Sequence, residues 1–223
     1  MKQLYLVANW KSNKTIEESI TWIQSASWRT NLKLKEGIIF ILCPPFIALA
    51  TLKDEIQKAN FPILLGVQNI SQFGNGAYTG EISAQMLKGL VEYVLVGHSE
   101  RRKYFSENDD MLFKKVEQVK LAGLKVIYCV ESSTVSVPLQ VDLIAYEPIA
   151  AIGSGKPENP EDAERVCKQI KEKHTNIPIL YGGSVTPDNI AMYLKQPSID
   201  GALVGGASLD PERFFHLIEA SFI

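Results

Sequence analysis

Eight short apolar runs recur along the chain, at 4–8, 38–43, 63–68, 93–97, 126–130, 143–146, 179–181 and 202–204. Runs this brief and this rich in Val, Ile, Leu and Tyr are the pattern of strands covered on both faces. Helix signals lie between them. Thr15, followed by Glu17 and Glu18, is an N-cap with early carboxylates. Leu112, Val116 and Val119 fall at helical spacing within 109–122, and Gly123 ends that segment. Pro160-Glu161-Asp162, Thr186-Pro187-Asp188 and Asp210-Pro211-Glu212 each open a helix with an early proline. A strand–helix unit repeated eight times closes most simply into an α/β fold of the (β/α)8 barrel type, here one domain over 1–223. An open doubly wound sheet is the alternative. The near-equal strands and the lack of a G-x-G-x-x-G after the first of them favour the barrel.

One unit is short. Only twelve residues, ESSTVSVPLQVD, separate Val130 from Leu143. Pro138 and the β-branched Thr134-Val135 oppose a helix there. The helix of the fifth unit is therefore expected to be missing or reduced to a loop, with Val135, Val137 and Leu139 covering the exposed barrel wall.

Charge excludes several function classes. Lys+Arg is 23 and Asp+Glu is 25, a formal charge of −2. That is no footprint for nucleic acid or an anionic membrane. The scattered Cys43, Cys129 and Cys167 suit neither a disulfide framework nor a metal site, and an odd count fits a reducing cytoplasm. The apolar stretch before Asn9 is too short for a signal sequence, and the run 38–43 stops at Pro44-Pro45, so no membrane span is expected.

In such a barrel the chemistry sits where strands end. The first strand ends Asn9-Trp10-Lys11, and alternation puts Asn9 and Lys11 on one side, a candidate anion site. The fourth ends Gly97-His98-Ser99-Glu100-Arg101-Arg102. A His at the first turn of a helix is biased towards neutrality by the positive helix end, and a neutral imidazole can donate a proton to an oxygen. The sixth ends Tyr146-Glu147-Pro148. Glu147 continues the face of Leu143 and Ala145, so partial desolvation should strengthen it as a base. Residues 148–156 start stiff at Pro148 and end free at Gly153 and Gly155, with Ile149 and Ile152 between, the composition of a lid that excludes water. Gly182-Gly183-Ser184 and Gly205-Gly206 end the last two strands, where paired glycines let backbone N–H groups reach a phosphate.

Together these segments resemble the triosephosphate isomerase family. The resemblance runs from residue 8 to 209, in order, through Asn9-Trp10-Lys11, the 96–102 run, Tyr146-Glu147-Pro148, Ile152-Gly153-Ser154-Gly155-Lys156, Tyr181-Gly182-Gly183-Ser184-Val185 and Leu203-Val204-Gly205-Gly206-Ala207-Ser208-Leu209. It implies a TIM barrel that interconverts dihydroxyacetone phosphate and glyceraldehyde 3-phosphate without metal or other cofactor. It implies Glu147 as base, His98 as electrophile and Lys11 as electrostatic stabiliser. Asn9, Lys11, Gly153, Ser184, Gly205 and Gly206 would bind substrate, and Ser99 and Glu100 would support the site, Glu100 beside Lys11. Arg102 and Asp200 would form an ion pair. A homodimer is implied through the 71–82 loop, with Thr79 touching the partner's site. Cys129 would pack near Glu147 and do no chemistry.

Two departures stand out. The family carries an aromatic residue where Ala150 stands, and a longer fifth loop and helix than 131–142 allows. Two other readings compete. A phosphate-binding aldolase or synthase would often need a Schiff-base lysine deep in a strand, and no strand here contains one. A non-catalytic relative would have no need of Lys11, His98 and Glu147 together.

Overall fold

A computed structural model describes residues 2–25, 37–149 and 157–221. The strands are β1 Leu4–Asn9, β2 Ile38–Cys43, β3 Ile63–Val67, β4 Tyr93–Val96, β5 Lys125–Val130, β6 Leu143–Tyr146, β7 Ile179–Tyr181 and β8 Gly201–Val204. They form a closed parallel barrel in sequence order, with β8 pairing back onto β1. Described α-helices are α1 Ile16–Gln24, α2 Leu49–Ala59, α3 Ser99–Phe105, α4 Asp109–Leu121, α5 Pro160–Lys173, α6 Ile190–Leu194 and α7 Pro211–Ala220.

The starts of α1, α5 and α7 follow their sequence signals, whereas Thr186-Pro187-Asp188 forms a turn and α6 begins only at Ile190. Thr15 accepts the Glu18 N–H and the Glu18 side chain accepts the Thr15 N–H, a reciprocal capping box. Asn108, Asn159 and Asp210 cap α4, α5 and α7 through their side chains. Alternation along the strands sorts the core into two layers. Val7, Ile41, Leu95, Ile127, Leu143 and Leu180 fill the barrel interior. Leu6, Phe40, Val96 and Tyr128 point outward into the larger cluster, where Trp22 and Phe214 from the helices pack.

Residues 131–142 contain turns and bends and no helix, as the sequence implied. Val135 and Val137 pack half-buried on the outer core. Leu139 does not: it is 98% exposed. After Pro138 the chain turns at 139–140. It is then drawn back by Asp142, whose carboxylate accepts the Val126 N–H at 2.8 Å and meets Lys120 at 3.0 Å, so Leu139 is left facing outward.

The expected Arg102–Asp200 pair is also corrected. Arg102 bonds Asp109 at 2.9 Å and the Gly97 carbonyl at 3.0 Å. Asp200 bonds Lys171 at 2.8 Å and Lys2 at 3.0 Å. Arg102 follows the carboxyl end of β4, whereas Asp200 precedes the amino end of β8, so the two sit at opposite mouths of the barrel. Of the lid, Pro148 is buried and Ile149 is 67% exposed. Ala150, Ile152, Gly153 and the rest of 150–156 lie outside the described residues.

Candidate active site

The site begins with strain at the end of β1. Lys11 adopts φ +54°, a left-handed conformation that a non-glycine residue avoids at a cost of about 1–3 kcal/mol. Three contacts hold it. Asn9 Oδ1 accepts the Lys11 N–H at 3.0 Å, Gln68 Nε2 donates to the Lys11 carbonyl at 2.9 Å, and the ammonium bonds Glu100 at 2.5 Å. Gln68 also donates to the Cys43 carbonyl, which fixes the end of β2 against β1. On the opposite side of the strand Trp10 is fully buried. Its indole N–H and that of Trp22 both donate to the Ser208 carbonyl at 3.1 Å, tying the turn after β8 to the end of β1.

His98 caps α3. Its Nδ1 accepts the Glu100 N–H at 3.2 Å. A ring nitrogen that accepts a peptide N–H carries no proton, so this bond assigns the imidazole proton to Nε2. Nε2 lies 2.9 Å from Glu147 Oε1. The other Glu147 oxygen accepts the backbone N–H of Ser99 at 2.9 Å. Both residues are buried, Glu147 to 1% exposure. Beneath them Cys129 is fully buried; burial first and the nearby Glu147 carboxylate second push its thiol well up from the usual value. A thiol so held stays protonated and is no nucleophile.

The glycines at the strand ends do different jobs. A Cβ on Gly182 would sit 3.0 Å from Glu147 Cγ and 3.1 Å from the Tyr146 carbonyl. Gly182 therefore makes room for Glu147. Gly183 makes room for the Tyr181 ring, whose hydroxyl accepts the Glu158 N–H at 3.1 Å. A Cβ on Gly205 would press on Lys11 Cε at 3.2 Å, whereas one on Gly206 would meet nothing within 4 Å. Asn189 orders the neighbouring turn, accepting the Thr186 N–H and donating to the Ser184 carbonyl.

These residues enclose one cleft of about 340 Å³ at the carboxyl end of the barrel. Asn9, Lys11, His98 and Glu147 line it together with Ser184, Gly205 and Gly206. Ser99 and Glu100 lie behind, bonded to Glu147 and Lys11. Thr79 is exposed on its loop and outside the cleft. Gly153 lies outside the described residues. Sequence reasoning did not single out Gln68 as a brace for Lys11, or Thr186 and Arg213 as cleft residues; an isolated polar residue carries no spacing signal. Among the described residues no cluster of His, Cys, Asp and Glu could hold a metal ion, and no helix is long and apolar enough to cross a membrane.

The family model described as triosephosphate isomerase matches residues 4–136 and 133–221. The chain belongs to the triosephosphate isomerase family. Among relatives bearing that name, one from Mesomycoplasma hyopneumoniae (strain 232) is 41% identical, covering 96% of this chain and 97% of its own. One from Dehalococcoides mccartyi (strain CBDB1) is also 41% identical, over 96% and 94%. One from Carboxydothermus hydrogenoformans is 36% identical, over 99% and 100%. The alignment to the M. hyopneumoniae triosephosphate isomerase spans 239 residues, more than the 223 of this chain, so that relative carries segments absent here. The two triosephosphate isomerase matches meet at 133–136, inside the shortened fifth unit.

Proposed function

We propose that Glu147, His98 and Lys11 carry the family's reaction in this chain, the interconversion of dihydroxyacetone phosphate and D-glyceraldehyde 3-phosphate, a step of glycolysis and gluconeogenesis. The observation that supports this reading is the convergence of a buried carboxylate, an imidazole with its proton on Nε2 and an ammonium on one cleft.

The chemistry needs no redox partner. Glu147 takes a proton from the hydroxymethyl carbon of the ketone, and the electron pair moves onto the carbonyl oxygen. His98 Nε2–H donates to that oxygen, and Lys11 supplies fixed positive charge beside the enediolate. His98 then passes the proton between the two oxygens. Glu147 returns its proton to the neighbouring carbon, and the aldehyde results with every atom accounted for. The resting carboxylate is held by Ser99 N–H and His98, so it must leave Ser99 to reach carbon. Backbone N–H groups of Gly153, Ser184, Gly205 and Gly206 hold the phosphate, with Asn9 orienting Lys11.

The assembled enzyme is a homodimer joined through 71–82, with Thr79 reaching the partner's cleft. In support, Phe73 and Tyr78 stack at 4.3 Å on this loop while remaining 39% and 43% exposed, and the Ser71 N–H to Ile82 carbonyl bond closes the loop base. The enzyme works in the cytoplasm, a reading that suits its free, buried thiols at Cys43, Cys129 and Cys167. The decisive assay supplies glyceraldehyde 3-phosphate alone and detects dihydroxyacetone phosphate by a coupled NADH-dependent reductase. Chain-dependent NADH loss supports the reading. Its absence refutes an isomerase, and a requirement for a second carbon substrate would point to the aldolase alternative.

A further inference from the structure

Charge bookkeeping around the cleft leaves the phosphate short of a cation. The charged groups that line it are Lys11, Glu147 and Arg213. Lys11 pairs with Glu100 at 2.5 Å, so these two formal charges cancel in the sum while the ammonium itself still faces the enediolate. Glu147 is anionic as a base, and His98, with its proton on Nε2, adds no charge. Without Arg213 the empty cleft would be net negative, yet the substrate brings a phosphate dianion. The chain as a whole, at −2, does not compensate.

Arg213 lies in the first turn of α7, directly after the turn at Gly206–Ser208. Among the described residues it makes no ion pair and donates no side-chain hydrogen bond, unlike Arg101, Arg102 and Arg165. Asp210, three residues before it, accepts the Arg213 backbone N–H at 2.7 Å. Glu212 is exposed on the same turn. Arg213 therefore lines the cleft with its guanidinium uncommitted.

We infer that Arg213 is a substrate-binding cation, recruiting and holding the phosphate dianion at the mouth of the cleft. The inference rests on the isomerase reading of the cleft. A guanidinium fork suits phosphate oxygens and forms charge-assisted hydrogen bonds. At an exposed rim solvent and salt screen it, so its effect falls on capture and KM more than on the chemical step. The phosphate is as charged in the transition state as in the ground state, so kcat is spared.

The test compares wild type, Arg213→Ala and Arg213→Lys in steady-state isomerisation of glyceraldehyde 3-phosphate at low and high salt, with inorganic phosphate as competitive inhibitor. Arg213→Ala should raise KM and the phosphate inhibition constant together by about 3- to 10-fold, with kcat within about twofold of wild type. Its kcat/KM should respond less to salt, and Arg213→Lys should recover much of the loss. Unchanged KM and inhibition constant in Arg213→Ala overturn the inference, as does a raised KM that lysine leaves unrecovered. If wild type shows no turnover the isomerase reading fails instead. Calorimetric binding of inorganic phosphate to wild type and Arg213→Ala then decides the role of Arg213 by the same factor.

Discussion

Glu107→Ala would strand cations inside the protein, and the structure gives the size of the penalty. Glu107 is 6% exposed and Lys115 is 4% exposed. Glu107 Oε1 bonds Arg101 Nε at 2.6 Å and also bonds the Lys115 ammonium, which reaches Asn69 Oδ1 at 2.6 Å. Burial pulls the Lys115 pKa down, and Glu107 pushes it back up. The cluster joins α3, which begins next to His98, to α4 and to the loop after β3. Removing one partner of a buried pair costs about 3–5 kcal/mol. The Arg101 side chain is 27% exposed and keeps some water, so the lower end, about 3 kcal/mol, is expected. Urea unfolding followed by tryptophan fluorescence at fixed protein concentration reads this directly. In the variant, the Lys115 pKa is lower folded than unfolded. The folded state then binds fewer protons, and stability should rise with pH until the ordinary lysine value is passed. Lys115→Met added to Glu107→Ala should recover at least half of the loss. A loss under about 1 kcal/mol, or no recovery with methionine, would refute the argument that the stranded ammonium sets the cost.

Other outcomes follow from the same packing. Gly182→Ala places a methyl 3.0 Å from Glu147 Cγ and should lower kcat by about 10-fold with a smaller change in KM, since a displaced base loses alignment; wild-type steady-state constants would contradict this. Glu158 is pushed up from the ordinary carboxylate value by burial, then by Asp162. Its ionisation therefore costs stability as pH rises from the ordinary carboxylate value through the raised one, and none below. Glu158→Gln should melt above wild type at pH 8 and match it near pH 4, and a difference independent of pH would contradict the sign.

The eight strands were legible because a doubly covered strand must be short and apolar, and that pattern survives any tertiary context. The missing fifth helix was legible because Pro138 and the β-branched Thr134-Val135 cannot make one. Glu147 and His98 were legible from alternation and from a helix start. Leu139 was misread because alternation carried Val135 and Val137 inward, while the turn after Pro138 broke the period. The Arg102–Asp200 pair came only from the family resemblance, and a resemblance between segments does not fix which mouth of the barrel each residue occupies. The glycine pair 182–183 looks the same in sequence whether it admits a ligand or a neighbouring side chain; here it admits Glu147 and the Tyr181 ring. Nothing in the sequence ties Gln68, at the end of the third run, to Lys11, or Arg213 to the cleft; only the folded chain brings them there.

Steady-state turnover of Glu147→Gln tests the central claim most directly. The amide can still accept the Ser99 N–H and nearly keeps the shape of the carboxylate, so binding should survive while the base is gone. The account predicts a kcat lower by at least about 10²-fold, the low end for a positioned base, with inorganic phosphate still binding. Turnover within a few-fold of wild type would contradict it and remove Glu147 from the reaction.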